Sequence, residues 1–283
     1  MIKKIFLLIV VLLIKSFPQQ IDFQSPENIK LFADFLFCEK DYLRSIGEFE
    51  KYLMVVDNDS IRFKVALSYS YINDYAAAIN KFRLTKITSP FYDQSRFEIL
   101  KSLYLQNKDS LFYSSSELLI NSSSIYSNNA HRLRNTTYLL IKNELIEKEK
   151  LLIPFLDQEK QALSDFYDFK KDPPYKSETT AVLLSIFIPG AGKLYTKNYG
   201  DGITAFLLTG LFSYLAYTNF EHNHPARAWI FTALGAGFYA GNIYGSAASA
   251  QIFNAKVDLN FKEGVKLFLE QKEYFAPKYE FCN

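Results

Sequence analysis

Three short groupings of polar residues could in principle do chemistry. Glu221-His222-Asn223-His224 puts two imidazoles two residues apart beside a carboxylate, a partial metal set. A zinc site needs three or four converging ligands with outer partners, and the only other histidine, His131, lies far away in the chain. The string Gly190-Ala-Gly192-Lys193 hints at a phosphate loop. It fails that test, because Phe187 and Leu194 stand where the phosphate-loop pattern requires Gly and Ser or Thr, and the dinucleotide fingerprint lacks its third glycine. No Ser-His-Asp or Cys-His set can be assembled. The sequence therefore points to no enzyme, no cofactor and no metal.

The elements around these groups are more informative. The chain has 283 residues with a formal net charge of +2, which argues against a nucleic-acid protein. Only two cysteines occur, Cys38 and Cys282, too few for a disulfide scaffold or a Cys-rich metal site. A mean hydropathy of -0.06 conceals an uneven distribution. Between Thr179 and Asn254 the only charged residues are Lys193, Lys197, Asp201, Glu221 and Arg227. At about 1.5 Å per residue, Gly202–Phe220 would cross about 28 Å of hydrocarbon. Ala228–Ala255 is longer, and Thr179–Gly192 reaches only about 21 Å. We expect a membrane domain at 178–256, with 179–192 a short span or a re-entrant helix, and spans at 202–220 and 228–250. Residues 257–283 follow as an amphipathic C-terminal tail.

At the N-terminus, Lys3 and Lys4 precede the apolar run Ile5–Ile14, followed by Lys15, Ser16 and Pro18. That order predicts a signal peptide over residues 1–20. Residues 22–172 read as a helical-repeat domain, ended by a Pro-containing connector at 173–177 with Ser177 as an N-cap. A shift of 33 aligns Ala33, Asp41, Tyr42, Ile46 and Phe49 with Ala66, Asp74, Tyr75, Ile79 and Phe82. Tyr, Ile and Phe at this spacing share one helical stripe, and a period in the low thirties is that of a two-helix solenoid unit. A third copy is weaker, with Tyr104 and Asp109 following Tyr69 and Asp74 at an offset of 35. Further helices are expected near 129–150 and 157–170, from Leu133, Leu140, Ile141 and Leu145, after a loop at Asn121–Asn129.

These residues resemble tetratricopeptide repeats. Ala78 fills the small position of that family's second helix, Ser45 fills it in the first copy, and Pro90 fits the helix-ending proline. The resemblance implies a curved array with a groove for a protein partner, and Tyr69, Tyr71, Phe97 and Tyr104 are candidates to line it. Further on, Pro189, Gly190, Gly192, Tyr195, Gly200 and Gly202 resemble the motif of bacterial two-transmembrane-helix domains. Gly241-Asn-Ile-Tyr-Gly-Ser246 and Asn254 are similar to the closing segment of relatives of that family. Lys193 stands where those relatives carry Gln.

Small residues also recur every four positions, as Ala205, Thr209 and Ser213 and as Ala233, Gly237, Gly241, Gly245 and Ser249. Such rows let membrane helices approach, either as one hairpin or as a homo-oligomer. The overall expectation is an all-α protein: a repeat solenoid followed by a C-terminal α-helical membrane domain. It would serve as an exported adaptor or scaffold for a protein partner, tethered to a bacterial inner membrane with its array in the periplasm. The alternative is an oligomeric channel or lipid-handling module regulated by the array. Three membrane segments with a cytoplasmic tail are favoured over two, because Lys256, Lys262 and Lys266 then lie inside.

Overall fold

The computed structural model describes residues 22–141 and 146–282. The expected signal segment and Leu145 lie outside them. The fold is all-helical, with thirteen α-helices and one 3-10 turn among the described residues. Two compact units form, His131 closing the first and Arg132 opening the second, and the chain returns to the first from Phe275 onward. This division differs from the proline connector expected at 173–177.

The first unit is a row of paired helices. These are α1 (Pro26–Cys38) with α2 (Tyr42–Leu53), α3 (Asp59–Tyr71) with α4 (Tyr75–Phe82), and α5 (Tyr92–Leu105) with α6 (Asp109–Ile120). Each packs on the next in sequence. α7 (Ser127–Tyr138) begins at the end of this unit. Ser25, Asp41, Asn58 and Asp74 cap α1 to α4, each side chain accepting from the backbone N–H three residues on.

One turn geometry joins each pair. Lys40, Asn73 and Asn107 are left-handed, with φ of 63°, 63° and 55°. The following N–H of Asp41, Asp74 or Lys108 returns to the carbonyl of Leu36, Tyr69 or Leu103. The third copy is therefore real, spaced by 34 at its turn (107 − 73) rather than 35. Lys108 stands where Asp41 and Asp74 cap, and it makes no side-chain cap bond, which is why the copy reads weakly.

Ala33, Ala66, Ala78 and Phe49 are fully buried, and Ile46, Ile79 and Phe82 nearly so, while Tyr42 and Tyr75 are half-buried. Ser45 is buried too, its Oγ 3.3 Å from Ser68 Oγ between neighbouring helices.

The second unit contains the rest of α7, α8 (Lys148–Leu152), α9 (Asp157–Lys171), α10 (Glu178–Phe187), α11 (Ala191–Tyr195), α12 (Tyr199–Glu221) and α13 (Pro225–Gln271). The helix expected over 129–150 is thus replaced by α7 and the short α8. Asn135 Nδ2 donates to Leu151 O at 2.9 Å, holding α8 to α7.

α13 runs unbroken into the expected tail as far as Gln271, and the rest of that tail is a 3-10 turn and an extended segment. Only about one residue in four of its second half is charged, and Val265 and Leu269 are fully buried on its inner face, so nothing ends the helix before Gln271. Phe169 stacks on Phe261 at 5.4 Å and Phe166 meets Phe268 at 6.0 Å. These rings fasten α9 to α13 and explain why the unit boundary lies before α9 rather than after it.

The run 179–192 is not one continuous helix. α10 has 10 residues, about 15 Å, and the chain then turns extended at Ile188 and left-handed at Gly190. Helix α10 thus fills only the first part of this run, and the chain reverses at Pro189 and Gly190.

Truncating the repeat stripe should be costly. We expect Phe49→Ala and Phe82→Ala each to lower the unfolding free energy of the full chain by about 3–5 kcal/mol. Chemical denaturation should show Met54→Ala, at an exposed position, within about 0.5 kcal/mol of the parent.

Candidate functional site

Two arrangements stand out, one in each unit. In the first unit, the last residues of the chain lie extended over the helix pairs. Tyr279 and Phe281, two apart, pack on the buried cluster containing Phe37, Phe49 and Phe63. Tyr279 meets Phe63 edge-on at 4.9 Å, and Phe281 lies 6.2 Å from both Phe37 and Phe91. Cys282 is bonded to Cys38 at the end of α1. Asn129 Nδ2 donates to Phe275 O at 2.7 Å, fixing the other end of this strap.

Two charged groups sit beneath it. Lys64 is buried, its ammonium 4.9 Å from the Phe281 ring and 2.6 Å from Asp34 Oδ1. Burial opposes ionisation of Asp34, but hydrogen bonds from Lys30 and Lys64 overcome it and hold the carboxyl below its ordinary 3.8. Glu98 is fully buried, with Oε1 accepting from Tyr279 Oη at 3.2 Å and Oε2 lying 2.8 Å from Lys101 Nζ. Burial, together with the Glu98 carboxylate, raises the Tyr279 phenol far above its usual range.

Of the aromatics expected to line a groove, Tyr71 is the exposed one, 4.7 Å from Tyr42. Tyr69 packs against the core cluster, Phe97 is fully buried against Tyr126, and Tyr104 lies 5.9 Å from Phe112.

In the second unit, the broken segment between α10 and α12 is fastened to one face of α13. Asn242 Oδ1 accepts from Gly190 N at 3.2 Å. Ser246 Oγ lies 2.6 Å from Ser185 Oγ, which accepts from Gly192 N at 3.0 Å. Ser249 Oγ lies 2.6 Å from Thr196 Oγ1. Asn242, Ser246 and Ser249 fall at i, i+4 and i+7, hence on one stripe.

Glycine is required where these strands of chain touch. Gly190 has φ 86°, and a Cβ there would overlap the Gly202 carbonyl. A Cβ on Gly192 would overlap the Ala181 carbonyl, whereas Gly200 has open space around it. Tyr195 Oη accepts from Ser177 N, while Asn254 accepts from Lys176 N at 2.7 Å and donates to its carbonyl at 3.0 Å. Ser177 caps α10 through Thr180 N.

The two rows of small residues do not meet as one seam. Gly237 and Gly241 have nothing within 4 Å of a built Cβ, and Gly245 is covered by the Lys193 side chain. Gly241, Gly237, Ala233 and Ala205 instead line an open groove. Thr209 and Ser213 face a different recess, with Gly235 near Phe212. Sequence reasoning took Ser249 as merely small and passed over Ser246 as a bonding group. The spacing Asn-x-x-x-Ser-x-x-Ser in an apolar helix was the available signal. His222 Nδ1 lies 2.7 Å from Thr218 O of its own helix, and no metal-binding group forms among the described residues.

No protein-family model matches the chain, and neither does any curated protein or solved structure.

Two outcomes follow. Gly192→Ala should abolish folding of the second unit, while Gly200→Ala leaves the melting temperature unchanged; circular dichroism of the full chain separates them. Asp34 has a lowered pKa when folded, so the unfolded chain takes up its proton first as pH falls. Its stabilisation is complete above the ordinary carboxylate pKa and is lost as pH drops through the lowered one. Asp34→Asn should therefore be less stable at neutral pH and show a flatter loss of stability below about pH 4.

Proposed function

We propose that this protein is a non-enzymatic envelope adaptor: a tetratricopeptide-like array tethered by a small membrane domain resembling the two-transmembrane-helix family. The observation carrying the tether is α12, the one helix among those described that is long and apolar enough to cross a membrane and that buries little of its apolar length. Phe206, Leu207, Leu211, Tyr214 and Tyr217 on that helix are exposed, as are Trp229, Ile230 and Phe238 on α13. A water-soluble surface rarely carries so continuous an apolar patch.

Export is supported by the Cys38–Cys282 bond, since such bonds persist in oxidising compartments. The bond also bears on topology. It requires an even number of crossings between the two cysteines; with α12 as one, the uncharged Ala228–Ala255 stretch of α13, less apolar than α12, serves as the return crossing in this reading, with a re-entrant α10–α11. The three-span scheme with a cytoplasmic tail is set aside on that ground. Lysines at 256, 262 and 266 then lie outside, against the charge bias, but a covalent pairing is the stricter constraint.

The strap already holds the aromatic surface over Phe37, Phe63 and Phe91. The protein partner is accordingly assigned to the exposed apolar face of α1, where Leu31, Phe32 and Phe35 project. The lipid-handling alternative draws support from the groove beside Gly241 in the second unit.

Membrane fractionation with protease treatment of spheroplasts, whose outer membrane has been opened, tests the reading. We expect the chain to resist alkaline extraction and the first unit to be digested while the inner membrane is still intact. Recovery in the soluble fraction, or an array protected until the inner membrane is broken, would contradict it.

A further inference from the structure

Between α12 and α13 lies a groove of about 450 Å³ that helix packing leaves unused. Its two ends differ in chemistry. Lys193, Asp201 and Asn242 line one end, and Leu208 and Ala233 line the other. Along α12, Asp201 to Leu208 covers about 10 Å, and along α13, Asn242 to Ala233 covers about 14 Å. Between them, Gly241 and Gly237 leave open space where side chains would otherwise fill the groove. A polar end leading to an apolar trough is the outline of an amphiphile.

The polar end has unspent bonding capacity. Asn242 is 2% exposed, and while its Oδ1 is taken by Gly190, its Nδ2 is buried with no partner. A buried donor left unmade is costly, so this amide calls for an acceptor. Lys193 lies along Gly245 and has no ion-pair partner among the described residues. Asp201 accepts from Asn198 Nδ2 at 2.9 Å and is not paired with Lys193. Two donors with one unpaired carboxylate in a single groove match a ligand that carries a phosphate and an ammonium together.

We propose that the groove binds a zwitterionic phospholipid with a primary-amine headgroup. Its phosphate accepts from Lys193 Nζ and Asn242 Nδ2, its ammonium donates to Asp201, and one acyl chain passes over Gly241 and Gly237. The glycines at 237 and 241 thus make room for lipid rather than for a second helix. This inference rests on the membrane-embedded reading of the second unit.

The test uses the full chain in detergent with equal mole fractions of phosphatidylethanolamine, phosphatidylcholine and phosphatidylglycerol, and native mass spectrometry to count retained lipid. Phosphatidylethanolamine should be retained about fivefold over either of the others. Lys193→Gln and Asp201→Asn should each remove the preference, and Lys193→Arg should keep it. Gly241→Leu should abolish retention at an unchanged melting temperature; should that variant fold poorly, Ala233→Leu fills the far end instead. Equal retention of the three lipids, preference for phosphatidylglycerol, or a preference that survives Lys193→Gln would overturn the assignment. Alkaline extraction separates the two layers. A chain that stays in the membrane without discriminating lipids refutes only this inference, whereas a chain that leaves the membrane refutes the embedding as well.

Discussion

The closure of the chain's last residues onto its first helix pairs is the constraint on which most of this architecture depends. Tyr279 and Phe281 complete an aromatic cluster that the paired helices begin, and Cys38–Cys282 makes that completion covalent across a sequence separation of 244. A cross-link over so long a loop removes on the order of 5.5 kcal/mol of unfolded-chain entropy. It also places everything from α2 to α13 inside one closed ring of chain. Lys64 gains from the same closure, since Phe281 is the nearest of three rings around a buried ammonium that is paired with Asp34.

The second unit solves a different problem, that of irregular backbone among apolar helices. Breaking the chain at Pro189 exposes amide groups that need partners: Asn242 of α13 takes the Gly190 amide and Ser185 of α10 the Gly192 amide, while Ser246 and Ser249 on the same α13 stripe bond the hydroxyls of Ser185 and Thr196. Gly190 and Gly192 matter because the reversal lies against backbone carbonyls at distances no side chain survives, and Gly202 because the Leu194 side chain packs directly on it. The glycines of α13 have another consequence. They leave space, and that space is bordered by Lys193 of the reversal.

What could be read from the sequence was local and periodic. Asp41 and Asp74 announce their helix starts because a short carboxylate before an apolar stripe has few other uses, and Phe49 and Phe82 follow at the spacing of one buried face. Ser177 was legible as a cap for the same reason. The third helix pair was blurred because Lys108 replaces the capping aspartate while the backbone turn at Asn107 is kept. The pairing of Cys38 with Cys282 was beyond reach, since nothing local in two lone cysteines specifies a partner so far away. The small-residue rows misled for a physical reason: spacing places residues on a face but does not say whether that face meets a helix or a gap. The extent of α13 was hidden by its charges, which ride on an exposed face and do not end a helix.

Thiol trapping followed by peptide mapping would test the central claim most directly. Full-length protein is alkylated in intact cells, digested without reduction and analysed by mass spectrometry. The account predicts one cross-linked species joining the peptides that contain Cys38 and Cys282, separating on reduction, with neither cysteine alkylated beforehand. Recovery of both cysteines in alkylated form, or of Cys282 joined to another chain, would contradict it.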